Sequence, residues 1–432
     1  MGHRSAAKDR AARTGRRRMP VAGVALGAAA VLVAAAACGS SGGGGASKQV
    51  GASAKQTIVF ATQGLGGEGA ASKAAVQAFQ KLHPNITVQI QTLSPTGDVA
   101  LQQLQQRFIA QTSTPDVITS DVIWPSTFAR SKWIANLDRF HPNTSAFFPG
   151  QMASGKYNGH VYGIPWFINA EGIYYRTDLV KTPPTTPQEL LAAAKAAMAK
   201  DKSLKEGLAF EGDKYEGSVT ALQSFGGNLD PANLNTPATQ QALAFMRSAI
   251  TSGVAPSAVT TWQEPNVESA WTSGQTAFAL NWPYVLQESQ TKAAVKGKTG
   301  WMPFPSATPQ ASLGGDDLVI NANSTHQAAA YEFIKYLTSP QAQTARAIAA
   351  GDPPAIQSAY NDQLFAKAPY FKQEVEVFKA ATPRPVTPVY PQISTQLQTM
   401  ISSVLSGSAT ASDALSATAP TVKALAQTVT SG

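Results

Sequence analysis

Aromatic rings and carboxylates recur in this chain at the ends of short apolar runs, and that placement is where chemistry could be done. Pro115-Asp116-Val117-Ile118 leads as a strand to Ser120-Asp121, beside Trp124. Thr276 to Leu280 leads in the same way to Asn281-Trp282-Pro283-Tyr284. In an open α/β sheet, ligands bind outside the carboxyl ends of the strands. Indole rings cover the apolar C–H faces of a sugar, while carboxylates, amides and Arg pair with its hydroxyls. These residue types therefore suit a polyhydroxylated ligand. Asp121, Glu216 and Glu264 also admit a second chemistry, because two carboxylates ~5.5 Å or ~6.5 to 9.5 Å apart would make a secreted glycoside hydrolase. The plain alternatives are that Trp282 is core, Asp121 a helix N-cap and Arg384 a surface ion-pair partner. Trp133, Trp271 and Trp301 are assigned to packing.

Other chemistries fall away on spacing. Gly297-Lys298-Thr299 resembles the end of a phosphate loop, but Lys292 stands where the first glycine is needed. Gly39, Ser41 and Gly43 match a nucleophile elbow without a strand before or a helix after them. His3, His83, His141, His160 and His326 are scattered, without metal-ligand spacing, and no acidic calcium loop is present. No metal, cofactor or catalytic residue is expected.

The elements that must position the aromatic and acidic groups alternate in type. Thr57-Ile58-Val59-Phe60-Ala61 is a buried-strand run, a glycine-rich turn follows, and Ala75, Phe79 and Leu82 share a helix face that Pro84 ends. Ile86, Val88 and Ile90 alternate as a second strand. This βαβ opening predicts an α/β fold with mostly parallel sheets flanked by helices. Thr186-Pro187-Gln188-Glu189 is a capping box leading into Leu190 to Lys200. Ser324 to Gln327 reads as another, ahead of an apolar stripe of Ala330, Phe333, Ile334 and Leu337 stopped by Pro340.

The amino-terminal end has a different grammar. Arg4, Lys8, Arg10, Arg13, Arg16, Arg17 and Arg18 face only Asp9, and an uncharged small-apolar run from Val21 to Ala37 follows. That order predicts a signal peptide over 1–37. Cys38, the single cysteine among 432 residues, closes Ala35-Ala36-Ala37-Cys38 before Gly39-Ser40-Ser41-Gly42. A lone thiol makes neither an intrachain disulfide nor a metal cage, so it is read as a lipidation site in a segment that resembles a bacterial lipobox. Residues 38–55 read as a flexible linker from lipid to folded body. The chain has 34 Lys+Arg against 26 Asp+Glu, but the excess lies mainly in the leader. The near-neutral remainder excludes a nucleic-acid partner on electrostatic grounds.

From Thr57 to about Leu405 the chain resembles the extracellular solute-binding proteins of carbohydrate ABC importers, especially the trehalose/maltose-binding branch. Phe79-Gln80-Lys81-Leu82-His83-Pro84-Asn85-Ile86, Tyr157-Asn158-Gly159-His160-Val161-Tyr162-Gly163-Ile164-Pro165 and Ile173-Tyr174-Tyr175-Arg176-Thr177-Asp178-Leu179 carry the likeness. Asn281-Trp282-Pro283-Tyr284, Leu313-Gly314-Gly315 and Arg384-Pro385-Val386 add to it. The resemblance implies a two-lobe periplasmic-binding-protein fold, type II-like, with a hinged cleft for an α-linked disaccharide. It places 56–165 plus 286–342 in the N-lobe and 166–285 plus 343–432 in the C-lobe. It implies ligand contacts from Asp121, Asn169, Tyr215, Glu216 and a stacking Trp282, and less directly from Glu68, Trp262 and Glu264. Gly314-Gly315 would be a loop that lets backbone approach the sugar, and Arg384 would meet hydroxyls. Leu280 stands where the family commonly carries Arg, and Glu171-Gly172 where it carries small apolar residues. The implied protein is a monomeric, lipid-anchored receptor on the extracytoplasmic face of the membrane, partnered by permease subunits.

Overall fold

The expected first strand forms as β1 (Gln56–Thr62), and the helix Glu68–Leu82 returns the chain to β2 (Ile86–Thr92). The computed structural model describes residues 49–64, 67–306 and 310–429. The signal at 1–37, Cys38 and the linker up to residue 48 lie outside the described residues. β2 pairs parallel with β1, Ile58 against Val88 and Phe60 against Ile90. β3 (Val117–Asp121) pairs parallel on the other side of β1. This is the βαβ grammar of the sequence, and it points the end of β3, with Asp121, to the same edge as the end of β1.

Asp116 fastens that edge from below. Its carboxylate accepts from Val59 N at 2.8 Å and from Ser324 Oγ at 2.6 Å, and it is 1 % exposed. The pattern departs at the next helix: Gln327–Leu337 begins after His326 with no side-chain cap bond, while Ser324 Oγ donates to Asp116 and accepts from His326 N at 3.0 Å, ahead of the helix. The stripe Ala330, Phe333, Ile334 and Leu337 is buried as expected.

The chain next forms a small hairpin, β4 (Lys156–Tyr157) with β5 (His160–Val161), and then β6 (Gly163–Ala170), buried along its whole length. Only Glu171 separates β6 from β7 (Gly172–Arg176), which belongs to a different sheet. That second sheet adds β8 (Glu206–Ala209), β9 (Thr276–Asn281) and β10 (Thr299–Met302) in the order β10-β7-β9-β8. β11 (Ser312–Ile320) then returns to the first sheet, antiparallel to both β3 and β6, and β12 (Thr382–Pro383) completes it. Both sheets are therefore mixed, with parallel pairs at β1–β2, β1–β3, β8–β9 and β11–β12.

Each sheet has its own apolar core, which defines the lobes. One gathers Phe60, Phe79, Trp166 and Phe333; the other gathers Phe210, Phe225, Phe278 and Leu397. The expected lobe boundaries shift accordingly. Residues 166–170 complete β6 of the first sheet, since Pro165 is accommodated at a bulge where Asp317 opposes it and Asp316 opposes Phe167. Residues 286–302 belong with the second lobe, where Leu286 packs beside Trp271 and β10 pairs with β7. The helix Pro340–Ala350 and the apolar side chains Leu364 and Phe371 pack into the first core. A proline and the sheet count do not show which core a flanking helix buries its stripe in; the pairings do.

The linker also ends earlier than its composition suggests. Val50 N donates to Thr325 O at 2.8 Å, Gln49 Nε2 to Ser324 O at 2.8 Å, and Asn85 Nδ2 to Ala52 O at 2.7 Å, so residues 49–55 are held against the first lobe.

Candidate functional site

The chain passes between the two sheets three times, at Glu171, between β10 and β11, and after β12. A cleft with a cavity of about 130 Å³ is lined from both lobes. From the first lobe, Asp121 reaches it at the end of β3 and Asn169 near the end of β6. From the second lobe, Trp282 reaches it just beyond β9, and Tyr215 and Glu216 at the start of the helix Glu216–Ser224. The strand-end rule thus holds in both sheets.

Arg384 ties the two sides together. It is 3 % exposed, donating from Nη1 to Glu216 Oε1 at 2.9 Å and from Nη2 to Asp121 Oδ1 at 3.1 Å. A surface ion pair is thereby excluded. Its Nε is buried and has no partner in the protein. Glu216 is fully engaged: besides Arg384, Tyr390 Oη donates to Oε1 and Ser394 Oγ to Oε2 at 2.5 Å. Burial raises the Glu216 carboxyl above its ordinary range, and the Arg384 charge with these hydroxyl donors pulls it back. Glu216 therefore positions Arg384 and has little capacity left for a ligand. Asp121 is not a helix N-cap: Trp124 stands at the start of the helix Pro125–Arg130, and Asp121 Oδ1 accepts from Ile123 N at 3.2 Å in the turn before it.

Trp282 is held by its backbone. Its N–H donates to Asn281 Oδ1 at 2.7 Å, and its carbonyl accepts from Tyr174 Oη at 2.7 Å. The ring is part-exposed to the cleft and lies across Gly314, where a Cβ would stand 2.7 Å from it. Gly314 and Gly315 are consequently strand residues of β11, opposite Asn169 and Ile168, and not a loop. The space that the missing Cβ leaves above Gly314 is taken by the indole. Gly315 has φ +106 and a Cβ there would meet Phe167 O at 2.3 Å, so that position also requires glycine.

Glu68, the first residue of its helix, and Glu264, the first of Glu264–Thr272, both line the cleft. Glu68 lies 3.5 Å from Arg346 Nη2. Trp262 does not line it. It closes the turn Ser257–Thr261 and packs against the apolar clusters of the second lobe. Strand-end logic also bears on residues not singled out earlier. Gln63 stands just past β1 and Glu211 just past β8, and both line the cleft. Asp316 and Tyr284 line it with them.

A cleft between two α/β lobes and lined from both is where a ligand-binding protein of this build would take its ligand. The family model described as bacterial extracellular solute-binding protein matches residues 63–344. A probable ABC transporter-binding protein of Deinococcus radiodurans is 32 % identical over 376 residues, covering 81 % of this chain and 89 % of its own. Maltose-bound MalE3 of T. maritima superposes with a TM-score of 0.79 at 31 % identity, over 85 % of this chain and 99 % of that one. The GacH receptor of Streptomyces glaucescens, solved unliganded and with acarbose, gives 0.77 at 25 % identity over 85 % and 98 %. The chain belongs to the bacterial extracellular solute-binding protein family.

Membership makes it an extracytoplasmic receptor and not an enzyme, which sets aside the glycoside hydrolase alternative. Among the described residues, no helix is long and apolar enough to cross a membrane, and no group of His, Cys, Asp and Glu is arranged to hold a metal ion.

Proposed function

We propose that the chain is the sugar receptor of an ABC importer, and that it takes an α-linked disaccharide, trehalose first and maltose second, between its lobes. The observation that carries this reading is the convergence of Trp282, Asp121 and Arg384 in one cleft. An indole face, unsatisfied donors such as Arg384 Nε, and carboxylate acceptors together match the two surfaces of a sugar ring. The likeness to maltose-bound MalE3 supports an α-linked glucoside. A neighbour of the same fold from Thermotoga lettingae, at 25 % identity, carries α-D-tagatose, so the sugar itself is decided by side chains and not by the fold.

Asp121, Asn169, Tyr215, Glu264 and Trp282 contact the ligand, with Glu68, Gly314, Gly315 and Arg384 around them; Glu216 acts through Arg384. Binding favours the closed arrangement because contacts come from both lobes at once. The leader over 1–37 directs export, Cys38 is acylated, and the monomer delivers sugar to membrane permease subunits. Calorimetry of the mature protein against a saccharide panel tests this. Binding of trehalose or maltose with altered tryptophan emission is expected, and no heat from any saccharide would overturn it.

A further inference from the structure

The lobes also meet away from the Asp121–Arg384–Glu216 bridge, at the edges of the sheets farthest from the crossings. In the first sheet, the strands that lead to crossings, β6, β11 and β12, lie at one edge and β2 at the other. In the second, β10 and β7 lie at one edge and β8 at the other. A swing of one lobe about the crossings therefore carries the segments that follow β2 and β8 farthest apart. In this structure those segments touch. A Cβ placed on Gly97, the first residue of the helix Gly97–Ile109 after β2, would stand 3.4 Å from both Cε1 and Oη of Tyr215, which follows β8. Both residues line the cleft.

Each partner is held from behind. Gln63 Nε2, just past β1, donates to Ser94 O at 2.8 Å, Ser94 N donates to Gln103 Oε1 at 3.1 Å, and Thr96 N donates to Ser94 Oγ at 3.2 Å. The turn that delivers Gly97 is thus fixed to the end of β1 and to its own helix. On the facing lobe, the Tyr215 carbonyl accepts from Ser218 Oγ at 2.9 Å, and the neighbouring Glu216 is bound to Arg384, Tyr390 and Ser394.

The backbone at Gly97 does not call for glycine, since its φ lies outside the left-handed region. What uses the bare face is the Tyr215 ring. Gly351 also meets the opposite lobe, where a Cβ would stand 2.7 Å from Gln287 Cβ, but its φ of +81 requires glycine in any case. Gly97 is therefore the position at which contact between the lobes alone accounts for the missing side chain.

We propose that Tyr215 seated on Gly97 is the catch that keeps the loaded cleft shut, and that Gly97 thereby sets how slowly the sugar leaves. This rests on the sugar-receptor reading and adds to it a determinant of affinity that works between the lobes. Sugar enters while the two residues are apart, so entry does not depend on their contact; release has to break it.

The test is stopped-flow tryptophan emission on the mature protein, with the saccharide of the panel that the wild type binds most tightly, trehalose or maltose being expected. Gly97→Leu should release it about tenfold faster, with the entry rate within about twofold of the wild type and no fall in ligand-free Tm. In a Tyr215→Ala background the same change should alter release by no more than about twofold, because the ring it obstructs is gone. Release that Gly97→Leu leaves unchanged or slows, a loss of affinity carried by entry alone, or an equal effect in both backgrounds would overturn the catch while the receptor reading stands. If the wild type binds no saccharide, the receptor reading falls and the catch with it.

Discussion

Arg384→Ala removes the one cation that joins Asp121 of the first lobe to Glu216 of the second. The magnitude follows from what each acid retains. The Asp121 side chain is 33 % exposed, so its half of the bridge is screened and contributes at most ~1 kcal/mol. Glu216 is buried, yet it keeps the Tyr390 and Ser394 hydroxyls, so its loss is one charge-assisted bond, ~1.5 to 3 kcal/mol. Together they come to about 1.5 to 4 kcal/mol, at or below the ~3 to 5 kcal/mol of a fully buried pair broken outright, and correspond to a fall in Tm of about 3 to 8 °C.

The pH dependence fixes the cause. Burial already holds the Glu216 carboxyl above its ordinary range, opposed by Arg384, and without the guanidinium it rises further. A carboxyl whose folded pKa exceeds its unfolded one is penalised when ionised. The penalty is complete above the folded pKa and disappears as pH falls toward the ordinary carboxylate range. Scanning calorimetry of ligand-free protein should therefore show the larger deficit at about pH 8 and a smaller one at about pH 5. An equal deficit at both, or none, would refute the charge argument.

Three further outcomes follow from the same geometry. Trp282→Ala should weaken disaccharide binding by roughly tenfold to a hundredfold, from a lost stacking surface of ~1 to 3 kcal/mol, and should abolish most of the ligand-induced change in emission; unchanged affinity by calorimetry would return Trp282 to the core. Gly314→Ala puts a Cβ 2.7 Å from the Trp282 ring, so the ring must move, and affinity should fall while Tm drops by no more than about 6 °C, since overpacking typically costs ~1 to 3 kcal/mol. Cys38→Ala should release the protein into the medium or leave it unprocessed, read by fractionation, and normal processing with membrane retention would contradict acylation.

Local grammar was readable in the sequence wherever one residue type decides one backbone event. The alternating runs of β1 and β2, the Thr186 cap, whose hydroxyl accepts from Glu189 N at 3.1 Å, and the buried stripe behind Gln327 all formed. Strand-end placement likewise singled out Asp121 and Trp282, which share one cleft with Asn169 from the family resemblance, and applied without exception it would have reached Gln63 and Glu211. What stayed hidden depends on contacts distant in the chain. Ser324 looks like the cap of the helix, but its hydroxyl accepts from His326 N ahead of the helix while donating to Asp116, 208 residues away in the chain. Glu216 looks like a ligand group until Tyr390 and Ser394, on a helix beyond the last crossover, occupy it. Gly314-Gly315 reads as a loop because nothing nearby in sequence reveals that Trp282 fills the missing Cβ volume. Trp262 carries the same residue type as Trp282, but packing against the second core keeps it off the cleft wall.

The claim on which the rest depends is that a disaccharide is held between the lobes by one shared constellation. A crystal structure of the mature chain grown with trehalose or maltose tests it most directly. The account predicts sugar density flat against the Trp282 indole, with hydroxyls at Asp121 and at Arg384 Nε. Sugar bound outside the cleft, or within it but touching none of those three side chains, would contradict it.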